Sequence, residues 1–293
     1  MYDLLFEITK RCNLACPFCY LAHGCEAQGE AGRGDEQESV LRVLERLLSQ
    51  VELRSIVFIG GEPTVSPALI QAAEMVQRSG KRIAMGMASN AVALTPQLAH
   101  RLVQLGIRSV EVPWFTLDAG VYRDLTGSDL ALLRSGVAAA MQAGMAVSAG
   151  VTLLKQTVGE LNGVLEHLFL LGVGCISLFA YVNLGRAAAR GTLFGPEKWQ
   201  LLEALALADN FAATTGQLVV VGNEALAAVK GSSFPNLRRA TCGASRRVVD
   251  SRGNLLNCEL SRVVVGNVLE ETRVGELFER AEGFFGCGEC VGG

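Results

Sequence analysis

The feature that most constrains this chain is a group of three cysteines directly after its first apolar run. Cys12, Cys16 and Cys19 follow one another in a C-x3-C-x2-C spacing. A four-iron cluster takes four cysteine thiolates for full ligation, so a short loop that supplies three leaves one iron open to a different ligand. The spacing therefore predicts a [4Fe–4S] cluster with one coordination position for a small molecule.

Two other interpretations fit the three cysteines, namely a zinc knuckle and buried thiols without a metal. Zinc sites generally use four ligands in paired short spacings, and this loop supplies three. The chain has nine cysteines, and no basic region precedes its first apolar run as it would in a secretory signal. Clustered thiols in a reducing compartment bind metal more often than they pair as disulfides. We therefore expect a cytoplasmic iron–sulfur protein, with zinc as the alternative.

The size and charge of the chain narrow the range of its partners. Half of its 293 residues are apolar, which is enough for one large domain and a small one. The formal net charge of −3 gives no sign of a surface for nucleic acid or an anionic membrane. The longest apolar stretch, 165–182, contains Glu166 and two glycines, which predicts a buried helix and a strand rather than a membrane span. We expect neither nucleic acid nor a membrane as a partner.

Short apolar runs alternate with longer amphipathic ones along most of the chain. Six β-then-α units in a row predict a parallel sheet with helices outside it. A complete eight-unit barrel needs about 250 residues, and only about 210 precede a change of pattern, so we predict an α/β fold with a partial (β/α)6 TIM-like barrel. The predicted strands are 2–8, 54–59, 82–88, 109–117, 146–153 and 175–182, and the predicted helices are 36–50, 67–78, 96–105, 130–143, 158–171 and 196–213.

The residues with reactive or polar side chains follow the ends of these predicted strands. Barrel enzymes carry their reactive groups at the carboxyl ends of the strands, so we expect these residues to meet at one end of the barrel. The cysteine loop follows the first strand, Gly60-Gly61-Glu62-Pro63 the second, Ser89-Asn90 the third, and Asp118 the fourth.

The tetrapeptide Gly60-Gly61-Glu62-Pro63 has the composition of a ligand-binding turn. Glycines let a backbone approach a ligand closely, and Glu62 offers a charged acceptor for an ammonium group. Pro63 fixes the turn that follows. Such a sequence alone is a routine strand-to-helix turn, but its place one β/α unit after the cysteine loop favours a role in binding.

With these two motifs, the chain resembles the radical SAM superfamily. The resemblance implies that the open iron chelates S-adenosylmethionine (SAM), which is cleaved reductively to methionine and a 5′-deoxyadenosyl radical. It also implies that Phe18 packs against the adenine and that the glycine motif contacts the SAM amino group. Thr116-Leu117-Asp118 resembles the "S-L-D" of the family, although Ala119 departs from the usual next residue. The implied SAM contacts are Phe18, Gly60, Gly61, Glu62, Pro63, Ser89, Asn90 and Thr116.

Purely structural interpretations stay open for several of these residues. Ser, Asn and Asp are common turn formers at strand ends, and Phe18 fits equally well as a residue that caps the cysteine loop. Cys25 lies in a glycine-rich segment, 24–34, and Cys175 begins the sixth predicted strand. We expect Cys175 to be core packing, with hydrogen return to a substrate radical as the alternative. Six arginines are interpreted as a solvated basic face, with binding of a substrate carboxylate or phosphate as the alternative: Arg186, Arg190, Arg238, Arg239, Arg246 and Arg247.

A second group of cysteines follows the change of pattern near residue 216. Cys242 and Cys258 flank a predicted hairpin, and Cys287 and Cys290 form a C-x2-C pair. The arrangement resembles the SPASM/twitch extension of radical SAM enzymes, which implies a second, auxiliary [4Fe–4S] cluster on these four thiolates. A structural zinc suits four thiolates equally well. We predict a barrel domain over 1–216 and a cluster-binding domain over 217–293.

The resemblance implies an oxidoreductase that removes hydrogen from a peptide or small natural product, leading to oxidation, cross-linking or epimerisation. An external reductant such as flavodoxin or ferredoxin is implied. The chain starts directly at the first predicted strand, so a peptide substrate requires direct docking or a separate recognition protein. The alternatives are a maturase for a tetrapyrrole or another cofactor precursor, and a non-catalytic iron–sulfur electron carrier with Cys25 as the fourth ligand.

Overall fold

All strands of the structure belong to one sheet. The structure is a computed structural model that describes residues 1–21, 33–191, 193–240 and 245–281. The eleven strands of these ranges are β1 (Tyr2–Glu7), β2 (Leu53–Ile59), β3 (Ala84–Ala88), β4 (Ile107–Pro113), β5 (Ala146–Leu153), β6 (Cys175–Ala180), β7 (Val219–Val221), β8 (Arg238–Arg239), β9 (Arg246–Val249), β10 (Asn254–Leu256) and β11 (Val264–Asn267).

The helices follow the predicted β/α alternation, and each of the six predicted helices is present within a few residues. In the described ranges they are α1 (Arg33–Gln50), α2 (Ala68–Arg78), α3 (Pro96–Gln104), α4 (Ala119–Thr126), α5 (Leu130–Gln142), α6 (Leu161–Leu171), α7 (Lys198–Thr215), α8 (Asn223–Ala228) and α9 (Val274–Arg280).

Helices α4, α8 and α9 were not predicted, and the fourth strand, which precedes α4, was predicted too long. β4 ends at Pro113, which has no N–H to donate to a neighbouring strand. Asp118 then caps α4, because its carboxylate accepts a hydrogen bond from the backbone N–H of Val121 at 2.9 Å. Gly127 ends the helix in a left-handed conformation, with φ of +75°. Both cap signals are visible in the sequence, and they outweigh the apolar run before them.

The strand order confirms the predicted partial barrel. Strands β1 to β6 pair successively and in parallel, and β7 and β8 continue the series at one edge. At the other edge β9 pairs in parallel with β1, and β10 and β11 follow antiparallel. The two edge strands, β8 and β11, do not pair within the described residues, so the sheet stays open.

Residues after 216 extend this sheet at both of its edges. The predicted hairpin is present as β9 and β10, with Gly253 at φ of +84° in its turn. Arg247 of β9 is fully buried, lies 4.6 Å from the centre of the Tyr2 ring and donates to the Phe278 carbonyl at 2.8 Å. The interpretation of Arg247 as part of a solvated face was therefore wrong, since its stem and head pack between aromatic rings. The domain boundary at 216 stays a prediction.

The two faces of the sheet have different packing. Leu4 and Phe6 of β1 face the helices and are fully buried in the large core. The alternate residue Leu5 faces the inside of the barrel, in a small apolar cluster with Ile59 and Val248. The inner face of β3 to β6 carries two larger side chains, Glu111 and Phe179, among several small ones: Gly86, Ala88, Ser109, Ser148, Gly150 and Ser177.

Gly136 of α5 supports the turn after β3, and its substitution gives a test of the packing. A Cβ at Gly136 would lie 1.9 Å from the carbonyl oxygen of Ala91, a fully buried residue with φ of +58°. We expect Gly136→Ala to lower the free energy of unfolding by about 1–3 kcal/mol, because backbone must move to admit the methyl group.

Gly163 of α6 provides the matched control. A Cβ there meets only the Leu117 side chain, at 3.7 Å, which is an ordinary contact. Gly163→Ala should be neutral or stabilise the protein by up to about 1 kcal/mol through helix propensity. Urea unfolding of both variants measures the difference, and equal stabilities would contradict the tight contact at Gly136.

Candidate functional site

The three cysteines lie together in the loop after β1, and each is partly buried. The Sγ atom of Cys12 accepts a hydrogen bond from the Leu14 N–H at 3.4 Å. Burial, and then the negative charges of Cys19 and Cys12, raise the pKa of the Cys16 thiol to about 12. Because the charges of Cys12 and Cys19 act on Cys16, a bound cation would compensate the thiolate charges in this loop.

The donor groups around these sulfurs fit an iron–sulfur cluster. Thiolates are the ligands that such clusters take, and N–H donors to sulfur tune them. The side-chain amide of Asn90 lies 3.8 Å from the Cys12 sulfur, and the same amide donates to the Asn13 side chain at 2.7 Å. Asn13 was missed by the sequence analysis, because its role depends on the position of Asn90 after β3.

The chain between β6 and α7 holds the cysteine loop from the other side. The Arg186 guanidinium donates to the Cys16 carbonyl at 3.2 Å, and the Ala187 N–H donates to the Cys19 carbonyl at 3.2 Å. Gly185, at φ of +58°, lies so close that a Cβ there would be 2.0 Å from the Tyr20 carbonyl oxygen. Arg186 therefore fixes the backbone of the cysteine loop, and its interpretation as a solvated residue was wrong.

The glycine pair after β2 packs directly against the segment that leads into the cysteine loop. A Cβ at Gly60, where φ is +151°, would lie 2.3 Å from the Thr9 carbonyl oxygen, and one at Gly61 would lie 2.2 Å from that of Arg11. The Gly61 and Glu62 N–H groups donate to the same two carbonyls at 2.9 and 2.8 Å. The close approach expected of these glycines is thus made to the chain's own backbone, and contact with SAM stays a prediction.

Glu62 is fully buried and accepts four hydrogen bonds from the protein. Its Oε1 accepts from the Thr64 N–H at 3.0 Å, the Thr64 hydroxyl at 2.6 Å and the Ser89 hydroxyl at 2.7 Å. Its Oε2 accepts from the Asn90 N–H at 2.6 Å. Burial raises the pKa of Glu62, and these hydrogen bonds oppose the rise. Glu62 therefore joins the ends of β2 and β3, while its predicted contact with an ammonium group is untested.

Two further predicted residues lie at the same end of the barrel. Thr116 is fully buried and donates to the Glu160 carboxylate at 2.7 Å. Phe18 meets the ring of Phe115 edge to face, with the ring centres 5.2 Å apart, and lies 6.2 Å from that of Phe194. The aromatic group gives the cysteine loop an apolar wall, which is compatible with both interpretations of Phe18.

The remaining cysteines divide between the described and undescribed parts of the chain. Cys258 follows β10, and its Sγ atom accepts from the Leu260 N–H at 3.4 Å. Cys175 begins β6, at the end of the strand opposite to the cysteine loop, and burial raises the pKa of its thiol. The other predicted ligands of the second cluster, Cys242, Cys287 and Cys290, lie outside the described residues, as does Cys25.

Three further features of the described ranges concern metal sites, membrane-spanning helices and surface grooves. No group of three His, Cys, Asp or Glu side chains there converges as a site for a single metal ion. None of the helices in those ranges combines the length and apolar character that a bilayer span requires. A groove of about 400 Å³ between α6 and α7 lies on the outer helical layer and is lined by none of the predicted site residues.

Sequence comparison identifies similar proteins over part of the chain. A model described as the Radical SAM superfamily matches residues 6–168. The tungsten-containing aldehyde ferredoxin oxidoreductase cofactor-modifying protein of Pyrococcus furiosus is 33% identical over 119 residues, 40% of this chain and 31% of that protein. The GTP 3',8-cyclase of Streptomyces coelicolor is 29% identical over 144 residues, 49% of this chain and 42% of the cyclase. The match thus spans less than half the length of either relative.

Solved structures resemble this chain over nearly its whole length. The structure of anSMEcpe with bound AdoMet has a TM-score of 0.71 at 17% identity, and the match covers 97% of this chain and 82% of that chain. Streptococcus suis SuiB bound to the precursor peptide SuiA has a TM-score of 0.68 at 14% identity, and the match covers 100% of this chain and 66% of that chain. These likenesses agree with the partial barrel described above.

Glu62→Gln tests the hydrogen bonds around Glu62, because it replaces one carboxylate oxygen by an amide nitrogen. In Glu62→Gln, an amide NH2 would face hydroxyl and N–H donors, so at least one buried hydrogen bond would be lost. We expect the free energy of unfolding to fall by about 1–3 kcal/mol. Glu74→Gln, which removes the charge of a surface ion pair with Arg101, should cost less than about 1 kcal/mol. If urea unfolding shows the same loss for both variants, the proposed role of the Glu62 network is wrong.

Proposed function

Because this chain belongs to the radical SAM superfamily, we propose that it cleaves SAM reductively and removes a hydrogen atom from a carbon of a bound substrate. The observation that carries the proposal is the junction of the cysteine loop with the glycine motif. Gly61 and Glu62 donate to the carbonyls of Thr9 and Arg11, in the segment before Cys12. The side-chain amide of Asn90 lies near the Cys12 sulfur. Three thiolates and a SAM-type turn are therefore held as one rigid unit.

Each residue of this unit has a specific task in the proposed reaction. Cys12, Cys16 and Cys19 would hold the catalytic [4Fe–4S] cluster, which when bound supplies one electron to the SAM sulfonium. Glu62 positions Ser89 and Asn90 by accepting their hydrogen bonds. This pre-organisation keeps the polar groups at the end of β3 in place before SAM arrives.

The aromatic wall has a separate task, which is to exclude water. Phe115 and Phe194 are buried, and Phe18 packs on both of them beside the cysteine loop. Reactive intermediates survive longer where water and other proton sources are kept away. Phe18 would also offer an aromatic surface to the SAM adenine. The motif Gly60-Gly61-Glu62-Pro63 would contact the SAM amino group, and the other proposed SAM contacts are Ser89, Asn90 and Thr116.

The proposed substrate is a peptide or a small natural product, modified by oxidation, cross-linking or epimerisation. Support for a peptide comes from the fold shared with SuiB, whose structure contains the precursor peptide SuiA. A second candidate is modification of a cofactor precursor, which is favoured by the cofactor-modifying relative from Pyrococcus furiosus. The oxidoreductase class, a flavodoxin- or ferredoxin-type reductant and a separate peptide-recognition protein belong to the first proposal, as does a cytoplasmic location.

We further propose that Cys242, Cys258, Cys287 and Cys290 hold a second [4Fe–4S] cluster that accepts the electron left on the substrate. The described part of this site supports a position near the first. Glu259, next to Cys258, accepts a hydrogen bond from the hydroxyl of Tyr20, which follows Cys19 in sequence. Iron and zinc analysis of anaerobically purified protein distinguishes this cluster from a structural zinc.

A cysteine variant tests the catalytic cluster. Cys12→Ala should reduce the formation of 5′-deoxyadenosine from SAM to the level of an enzyme-free reaction, because a ligand of the proposed SAM-binding cluster is lost. The assay is anaerobic turnover with dithionite, followed by mass spectrometry.

Cys175→Ala is the matched control, since it removes a thiol at the opposite end of the barrel. This variant should retain 5′-deoxyadenosine formation within about twofold, because a substitution far from the cysteine loop has little effect on the chemistry there. Continued 5′-deoxyadenosine production by Cys12→Ala would refute the assignment of the cluster.

A further inference from the structure

The inside of the barrel contains a carboxylate with too few hydrogen-bond donors. Glu111 of β4 lies on the inner face of the sheet, where a Cβ at Gly150 would lie 3.4 Å from its Oε1 and 3.2 Å from the ring of Phe179. Within the described residues its hydrogen-bonding partner is the Ser177 hydroxyl, at 3.5 Å. An ionised carboxylate has about four acceptor positions, so most of the capacity of Glu111 is unused.

A second inward-facing carboxylate, Glu7, has an oxygen without a donor. Glu7 ends β1 on the same face as Leu5, which belongs to the inner apolar cluster. Its side chain is only 2% exposed, and its Oε2 accepts from Arg262 at 2.8 Å. Its Oε1 is buried and accepts no hydrogen bond in the part of the chain described. A buried acceptor left unsatisfied costs about 1–3 kcal/mol, which a ligand with N–H groups would recover.

The charges that act on Glu111 from the described residues are net negative. Burial raises the pKa of Glu111 and of Glu224, and the charge of Glu259 adds to both shifts. Arg246, an exposed residue at the start of β9, opposes the shift of Glu111. Glu7 differs, because its charge is already paired with Arg262 and what it lacks is a donor to its second oxygen.

We propose that the inside of the barrel binds a cationic nitrogen group of the substrate, an ammonium or guanidinium, at Glu7 and Glu111. Such a group supplies the N–H donors that both carboxylates lack and compensates the charge of Glu111 in a poorly solvated space. A nucleoside triphosphate or a carboxylate-rich macrocycle would instead bring anions against these carboxylates. The assignment of the ligand as the substrate rests on the proposed function, whereas the binding site itself does not.

Two probes of the same shape and different charge test the proposal. Butylguanidinium and the neutral butylurea are titrated into the full-length, anaerobically reconstituted protein by isothermal calorimetry. We expect butylguanidinium to bind at least about tenfold more tightly, a difference of about 1.4 kcal/mol. Equal affinities, or no saturable binding of butylguanidinium up to millimolar concentration, would overturn the proposal.

Variants of matched chemistry locate the binding site. Glu111→Gln should abolish the preference for the cation, whereas Glu45→Gln, on the exposed face of α1, should retain it. Glu224→Gln is the second variant if Glu111→Gln does not fold, and it should weaken cation binding several-fold. A cation preference that survives both Glu111→Gln and Glu224→Gln contradicts the assignment.

The cation site and the proposed SAM cleavage can each be refuted without the other. Wild-type protein that forms 5′-deoxyadenosine but does not distinguish the two probes would refute only the cation site. Protein that prefers butylguanidinium but does not cleave SAM would refute only the proposed function.

Discussion

The carboxylate of Glu62 accepts hydrogen bonds from residues that belong to two different strand ends, and the geometry of the site depends on this contact. Burial of a carboxylate costs free energy that hydrogen bonds offset, so the donors around Glu62 stabilise the end of the sheet. Thr64 satisfies it from the turn after β2, and Ser89 and Asn90 satisfy it from the end of β3. Asn90 in turn reaches Asn13 and Cys12 in the cysteine loop. The loop, the glycine turn and the end of β3 are thereby one mechanical unit.

The sequence predicted the parts of this unit but not how they contact each other. Strand polarity alone brings the cysteine loop, the Gly60-Gly61 turn and Ser89-Asn90 to one end of the sheet, as the structure shows. The partner of the glycines was not predictable, because Thr9 and Arg11 approach them only through the register of β1 and β2. A glycine pair in a sequence indicates a close approach without naming what approaches.

The inward-facing residues were harder to predict for a different reason. Strands buried on both faces carry almost continuous apolar runs, so the alternation that separates an inner from an outer face is absent from the sequence. Glu7 and Glu111 lie inside the predicted strands 2–8 and 109–117, and the sequence analysis gave neither residue a role. The small residues beside Glu111, such as Gly150 and Ser177, acquire meaning only when neighbouring strands align them.

The part of the chain after residue 216 is also joined to the catalytic end of the barrel by more than its covalent connection. β9 pairs with β1, the strand that leads into the cysteine loop, and Arg262 pairs with the carboxylate at the end of β1. Tyr20, directly after the last cysteine of the loop, donates to Glu259. A substitution that moves this C-terminal segment is therefore expected to move the cysteine loop as well, through these partly buried contacts.

The three thiolates after β1 are proposed to hold an iron–sulfur cluster with one iron open to SAM. The decisive experiment is electron paramagnetic resonance of the anaerobically reconstituted and reduced protein, recorded with and without SAM. We expect SAM to change the g-values of one cluster signal, because it becomes a ligand of the open iron. Cluster spectra that are identical with and without saturating SAM would refute the open iron site.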